Sequence, residues 1–437
     1  MTVTPHRHLA SKHDLDSLNA ELPIRHVATR AGALPSWPIF ALIVGFPVWW
    51  ALGAVPVMSP VLAVVMIFYL LNAKNLMMFP GIAPWFMFLL WVGATVIGVQ
   101  GAGDLIGYGM RVSDLILAGV CMVYVSNAGF SLSKNRVVNY LVVIWLAMVV
   151  LGFLALLIPD VRLKTPVGML LSESITSNEL VRNLVMPPLA EVQQPWGAPE
   201  PFVRPAAPFP YANSWGAAFA VLVPVVLSRI ATLTSRKRSI LLGMVLVFSF
   251  IPAVATSNRG MFVGLMVALA YALMRHVGLG HWKVAVLTVI GTTTMTLVLV
   301  ASGAVSGILG RQEFSDSTGG RMALYLKTWE QSLQAPLLGH GSPRIDPTIG
   351  VSLGSQGFLW TLMFCYGFVG LFLFLYFFVG AVIRTRRVST MPDVWLHAAL
   401  ISGISLIPFY GLSVLQLSVL SIVFALLLRQ RYVGTND

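Results

Sequence analysis

The sequence predicts an all-α integral membrane protein of about twelve transmembrane helices. Three observations predict it. Hydrophobic residues fill 57% of the 437 positions and charged residues only 10%, where a soluble domain carries about 25% charged residues. Apolar runs long enough to cross ~30 Å of hydrocarbon recur along the chain. The Lys and Arg residues behind the net charge of +12 fall mostly into alternate connections, as the positive-inside rule requires.

Residues 1–36 read as a cytoplasmic polar tail, with scattered charge and no short apolar core leading to a small-residue cleavage site, so no cleavable signal peptide is expected. Residues 37–158 hold transmembrane helices 1–5, centred on 38–57, 59–73, 79–99, 105–125 and 137–158. A proline-rich outer loop follows at 159–211; its eight prolines between Pro187 and Pro210 and its weak periodicity suggest an extended, irregular cover. Helices 6–9 occupy 212–306, centred on 212–228, 239–256, 260–275 and 284–306. Residues 307–356 form a second outer loop, 357–428 hold helices 10–12 (357–383, 393–410 and 412–428), and 429–437 are a short cytoplasmic tail. With both termini cytoplasmic, the inner segments collect 18 of the 28 bases and five of the 16 acids. The basic balance is therefore topology, and it argues against a nucleic-acid partner. Cys121 and Cys365 both lie inside apolar runs, so neither a disulfide nor a metal site is expected. No P-loop, dinucleotide fingerprint, HExxH or paired-Cys pattern is present.

The second outer loop is the most informative stretch. Within Arg321 to Leu333, Met322, Tyr325, Leu326, Trp329 and Leu333 fall at helical spacing, while Arg321, Lys327, Glu330 and Gln331 share the other face. That pattern predicts an amphipathic helix lying at a membrane surface. Turn residues Pro336, Gly339, Gly341 and Pro343 come next, carrying His340 and Arg344, and from Phe358 an apolar run continues without charge to Arg384.

An interfacial helix, then APLLGHG, then a short polar loop and LGSQGFLWTLMFCYGFVGL entering a membrane helix, resembles the signature region of the O-antigen ligase and Wzy-type polymerase family. The resemblance covers roughly residues 205 to 380. It implies a polytopic glycosyltransferase that moves a glycan from a polyprenyl-linked donor to a glycan or glycolipid acceptor on the outer face of the cytoplasmic membrane, with membrane lipids as its surroundings and no cofactor or metal. Ser257, Asn258, Arg259 and Gly260 resemble the family's SRG segment, where the arginine is held to contact the donor pyrophosphate; FPYANSW, with Asn213, resembles its F-x-x-x-N segment. The sequence departs from the family at the start of the tenth helix, where a histidine is usual and Gln356 stands here. An amide is no general base near neutral pH.

The residues themselves support a positive site with a choice of bases. Arg259 sits in a tight turn at the membrane edge, where a planar guanidinium suits either a phosphate or lipid headgroups. Arg111 lies about two helical turns below the outer surface, three residues before Asp114, and is either part of an anion site with Arg259 or a structural partner of Asp114. The outer loop adds Arg311, Arg321 and Arg344 as further donor-phosphate contacts, and His340, Glu313 and Asp316 as candidates to take the acceptor proton, with Gln356 to position the hydroxyl. Asn213 is equally readable as a helix cap, and His397 and Gln416 as structural groups. The rival class is a transporter or flippase of a lipid-linked glycan or other anion; polarity confined to the outer third favours chemistry, and a polar path through the midplane favours transport.

Overall fold

The computed structural model describes residues 34–177, 179–194, 201–301, 317–348 and 350–433. They are mostly helical. Seven helices among them are long and apolar enough to cross a membrane: Ala102–Asn127, Gly129–Leu157, Ala212–Thr232, Arg236–Ala255, Arg259–Gly278, Phe358–Thr385 and Val414–Tyr432.

Proline and glycine decide the first elements. Helices α1 (Trp37–Ile43), α2 (Phe46–Leu52) and α3 (Val55–Leu71) follow one another, so the run 38–57 is not one continuous helix. Pro47 fits the first turn of α2, and Gly53 ends it in a left-handed conformation (φ 72°). After α4 (Ala83–Ala94) come α5 (Ala102–Asn127) and α6 (Lys134–Leu157), the last started by Ser133, whose side chain accepts from the Arg136 amide.

The described parts of the segment expected to be an irregular cover hold regular elements. It forms α7 (Pro166–Leu170), α8 (Glu173–Thr176) and α9 (Glu179–Val185), then β1 (Ala190–Gln193) antiparallel to β2 (Phe202–Pro205), with Ala190 opposite Pro205. Thr165 accepts from the Gly168 amide at 3.0 Å, and Pro166 takes the first turn of α7, where a missing N–H costs nothing. Pro166 starts an element and does not prevent one.

The remaining elements are α10 (Ala212–Thr232), α11 (Arg236–Phe248), α12 (Phe250–Ala255), α13 (Arg259–Gly278), α14 (Trp282–Ala301), α15 (Ser317–Ser332), β3 (Arg344–Ile345), β4 (Ser352–Leu353), α16 (Phe358–Thr385), α17 (Met391–Leu406) and α18 (Val414–Val433). Helices α10 and α18 are central, with buried side chains all round, including Trp215, Phe219, Leu415 and Ile422. Helix α11 has no buried residue and lies at the rim. Around the outside, large apolar side chains such as Leu90, Val64 and Phe372 are well exposed, as a surface in contact with lipid requires.

At the Arg384 end, Lys134 pairs with buried Asp393 (3.1 Å), Arg275 donates to the Val388 carbonyl (2.7 Å), and Arg429 donates to the carbonyls of Val125, Gly129 and Leu132. Connections that the charge pattern assigned to one side thus meet at one end. His397 bonds the Val382 carbonyl (3.0 Å) near this end, and Gln416 bonds the Ser214 carbonyl (2.7 Å) near the other, so both are structural links.

Helix α16 is broken in its middle. Gly367 has φ 69° and ψ −179°, outside the helical region. A break removes helical partners from carbonyls that hydrocarbon cannot solvate. The loop after α15 supplies the partners: the His340 amide donates to the Phe364 carbonyl (2.8 Å) and the Gly341 amide to Cys365 (2.8 Å), while the Phe368 amide donates to Pro336 (2.8 Å). The Trp91 indole donates to Tyr366 (3.0 Å), so the last turn before the break is satisfied from outside the helix. A Cβ on Gly367 would lie 2.0 Å from the Leu337 carbonyl oxygen. Gly367→Ala should lower the apparent Tm in detergent by more than about 2 °C relative to Gly243→Ala, whose added methyl meets open space; equal Tm values for the two variants would refute this account of the break.

Candidate functional site

The loop that plugs the break also carries His340 and Arg344. The His340 ring is half-buried against Phe364, with centroids 4.5 Å apart. Its Nε2 lies 3.1 Å from the Gln331 carbonyl oxygen at the end of α15. A carbonyl only accepts, so Nε2 carries the proton and Nδ1 of the neutral ring is left as a base. Burial, and then the positive charge of Arg344, hold its pKa below the usual histidine value of 6.5. Arg344 stands on β3, donates from Nη2 to the Gly98 carbonyl (2.7 Å), and keeps a buried Nε without a partner.

Arg111 approaches the same place from α5. Its guanidinium lies within electrostatic range of Cys365 and beside the Tyr366 hydroxyl, at the break, and Arg344 is within range of Cys365 too. Buried Nε and Nη2 of Arg111 have no protein partner. Asp114 is not that partner: it accepts from the Ser59 hydroxyl (2.5 Å), and no ion pair joins it to Arg111 among the described residues. Arg111 and Arg344 are thus each within electrostatic range of Cys365, and Arg344 of His340, and both arginines keep buried N–H groups without partners among the described residues. Asp104 also lies within range of Cys365. It sits seven residues before Arg111, two turns along one helical face, a spacing that could have identified it in the sequence.

Arg259 is set by other elements. Its neighbour Asn258 and the carbonyl of Thr256 are held by Arg204 of β2, which is 6% exposed. Arg204 donates from Nε to Thr256 (2.8 Å), from Nη1 to Glu191 of β1 (2.9 Å) and from Nη2 to Asn213 and Asn258 (2.9 Å each). Glu191 in turn accepts from the Ala212 amide (3.0 Å), and Asn258 donates to the Ala212 carbonyl (2.7 Å). Asn213 is thus no helix cap: the N-cap of α10 is Tyr211, and the Asn213 amide oxygen serves Arg204. Within this clamp Ser257 adopts φ 53° and Arg259 opens α13, exposed. Tyr410 ties the turn to the start of α16, accepting from the Met261 amide (3.3 Å) at its hydroxyl and from the Phe358 amide (2.9 Å) at its carbonyl. Gln356, half-buried with its amide on the Ser355 hydroxyl (3.3 Å), lies at that start of α16.

Arg111 thus stands with Arg344 near Cys365, while Arg259 follows the turn that Arg204 clamps. Arg311, Glu313 and Asp316 lie outside the described residues, as does the side chain of Arg321 on α15. Helix α15 forms as expected, yet its protein-facing stripe is Leu324, Thr328 and Ser332, and its exposed side carries Met322, Leu326, Trp329 and Leu333. Small and hydroxylated side chains allow close approach to protein, and each hydroxyl returns its proton to the carbonyl four residues back (2.7 Å for both Thr328 and Ser332). Tyr325 and Trp329 anchor the helix on α16, stacking on Trp360 (4.3 Å) and meeting Phe368 edge-on (5.5 Å).

No family model matches the chain, and no curated protein matches it.

Arg204→Leu takes a donor from the half-buried Glu191 carboxylate, from the amide oxygens of Asn213 and Asn258 and from the Thr256 carbonyl, a loss of about 1–3 kcal/mol. A cysteine placed at Ser257 should then react faster with a membrane-impermeant maleimide than in the Arg204 parent, and unchanged labelling with unchanged Tm would remove Arg204 as the clamp of this turn.

Proposed function

We propose that this chain is a polytopic membrane glycosyltransferase that moves a glycan from a polyprenyl-(pyro)phosphate donor to a sugar hydroxyl, as O-antigen ligases and polymerases do. The observation that carries the reading is the convergence of Arg111 and Arg344, with buried unpartnered N–H groups, on a helix break beside a neutral histidine. Buried guanidinium groups with spare donors suit a phosphate whose charge grows as its bond to the sugar breaks. The acceptor oxygen attacks the anomeric carbon, the bond from that carbon to the phosphate oxygen breaks, and the polyprenyl (pyro)phosphate leaves with the electron pair. The acceptor proton passes to Nδ1 of His340, with Asp104 within the same electrostatic neighbourhood. Arg259, at the amino end of α13, receives the donor's charged head from the side of Gln356, and Arg311, Arg321, Glu313 and Asp316 are the further candidates for the same reaction.

In this reading the shorter apolar helices complete about twelve passes, both termini are cytoplasmic, and the site faces outward across the cytoplasmic membrane. The reaction consumes a bond already activated by the polyprenyl link.

A carrier for the lipid-linked glycan is the second reading, favoured by one observation: interrupted helices such as α16 are a device of transporters. Cells lacking the gene distinguish the two. Accumulation of polyprenyl-linked glycan on the outer face, relieved by the parent protein and not by well-expressed Arg111→Gln, is expected; accumulation on the inner face would leave the carrier standing. In a reconstituted transfer assay Arg111→Gln should lose about 10²–10³-fold in rate. For His340 the sign follows from its lowered pKa. The active neutral ring persists as pH falls past 6.5 and is lost only below it, so the rate should show an acid limb below pH 6.5 that His340→Gln abolishes along with about 10²-fold or more of the rate. An acid limb surviving in His340→Gln would assign the proton to another group.

A further inference from the structure

The Arg384 end of the bundle, opposite the proposed transfer site, holds a cavity of about 280 Å³. Arg384, Arg387 and Arg431 line it together with Thr385, Ser389 and Gln430. Among the described residues no carboxylate lines it. The nearest acid in the hydrogen-bond network, Asp393, is 1% exposed and already accepts from Lys134 (3.1 Å), Gln430 (2.7 Å) and Thr390 (2.5 Å). The cavity lining thus carries three guanidinium groups.

Among the described residues, two buried polar atoms of its lining side chains have no protein partner: Nη1 of Arg384, a donor, and Oε1 of Gln430, an acceptor. Arg431 is partly engaged, donating to the Arg384 carbonyl (2.5 Å), and Arg387 is exposed. The complement of such a cavity is an anion that offers oxygens to guanidinium groups and a hydroxyl to an amide oxygen. A phosphodiester carrying a free hydroxyl has both.

The surface beside the cavity indicates where that phosphodiester comes from. Phe372, Tyr376, Val379 and Ile383 of α16 are exposed at helical spacing and run along one side of the helix toward Arg384. An apolar stripe leading to a basic cavity suits acyl chains attached to an anionic headgroup. We infer that this cavity binds the headgroup of an anionic phospholipid of the hydroxylated kind, such as phosphatidylglycerol. The inference rests on the chain spanning a membrane and not on the transfer reaction.

The test uses the full-length protein purified in detergent, with apparent Tm followed during titration by short-chain phosphatidylglycerol, phosphatidylcholine, glycerol phosphate or inorganic phosphate. Phosphatidylglycerol should raise Tm saturably, with phosphatidylcholine and both soluble phosphates inert over the same range. Arg387→Gln should weaken the apparent Kd about tenfold, the loss of one charge-assisted contact, and Arg387→Lys should restore most of it. Arg387 is exposed, so both variants should fold like the parent, which their Tm without lipid checks. Equal responses to phosphatidylglycerol and phosphatidylcholine, or a Kd unchanged in Arg387→Gln, would overturn the proposal. Saturable binding of inorganic or glycerol phosphate with the same affinity would overturn the lipid as occupant and leave a soluble phosphate in its place.

Discussion

Hydrocarbon offers a broken helix no hydrogen bonds, and that constraint governs the arrangement around Gly367. Each unsatisfied backbone group in the bilayer costs several kcal/mol. The break is tolerated because the loop at 336–341 brings two amides to the carbonyls of Phe364 and Cys365 and a carbonyl to the Phe368 amide. For the loop to come that close, its backbone must touch the backbone of α16; a Cβ on Gly339 would lie 2.6 Å from the Gly367 nitrogen. His340 is then fixed by its own amide as much as by its ring. The position of the proposed base follows from the repair of the helix.

Arg204 and Arg111 show how one residue type takes two roles. Arg204 uses Nε and both terminal nitrogens on four acceptors within a single clamp, and it fixes three segments far apart in sequence: β1, the start of α10 and the turn before α13. Arg111 reaches the break with two buried nitrogens unpartnered. A buried guanidinium is expensive unless its donors are met. The first arginine meets them from the protein; the second is consistent with meeting them from a ligand. Spare donors, more than burial or charge alone, separate a binding arginine from a structural one.

Helix positions were legible in the sequence because they are written in composition over long windows. The long spans from Ala102 onward fall close to their expected places. Less legible was anything set by a contact between distant segments. Asn213 has the residue type of a cap, and only the arrival of Arg204 from β2 gives it another function. The apolar periodicity of α15 marks an amphipathic helix correctly but not which face meets protein, because in a membrane the greasy face is free to meet lipid. Arg111 was conspicuous as an intramembrane charge, while its grouping with Arg344 depends on the loop that threads back to α16. Proline content in 159–211 signalled irregularity, although at Pro166 it marks the first turn of a helix.

The repaired break also bears on whether the molecule moves a substrate or transforms one. A carrier that alternates its access must shift one part of the bundle against another about the substrate site. Here both halves of α16 are bonded to the same short loop: Phe364 and Cys365 on one side of Gly367 and Phe368 on the other. The loop is in turn held to α15 through His340 and to the end of α4 through Arg344 and Gly98. Moving one half of α16 alone would break several of these bonds, each contributing about 0.5–1.5 kcal/mol net. A site held from both sides in this way favours preorganisation, which stabilises developing charge without reorganisation at the moment of reaction. The interruption of α16 thus resembles a transporter's hinge in its backbone angles while its hydrogen bonds fit a fixed anion site.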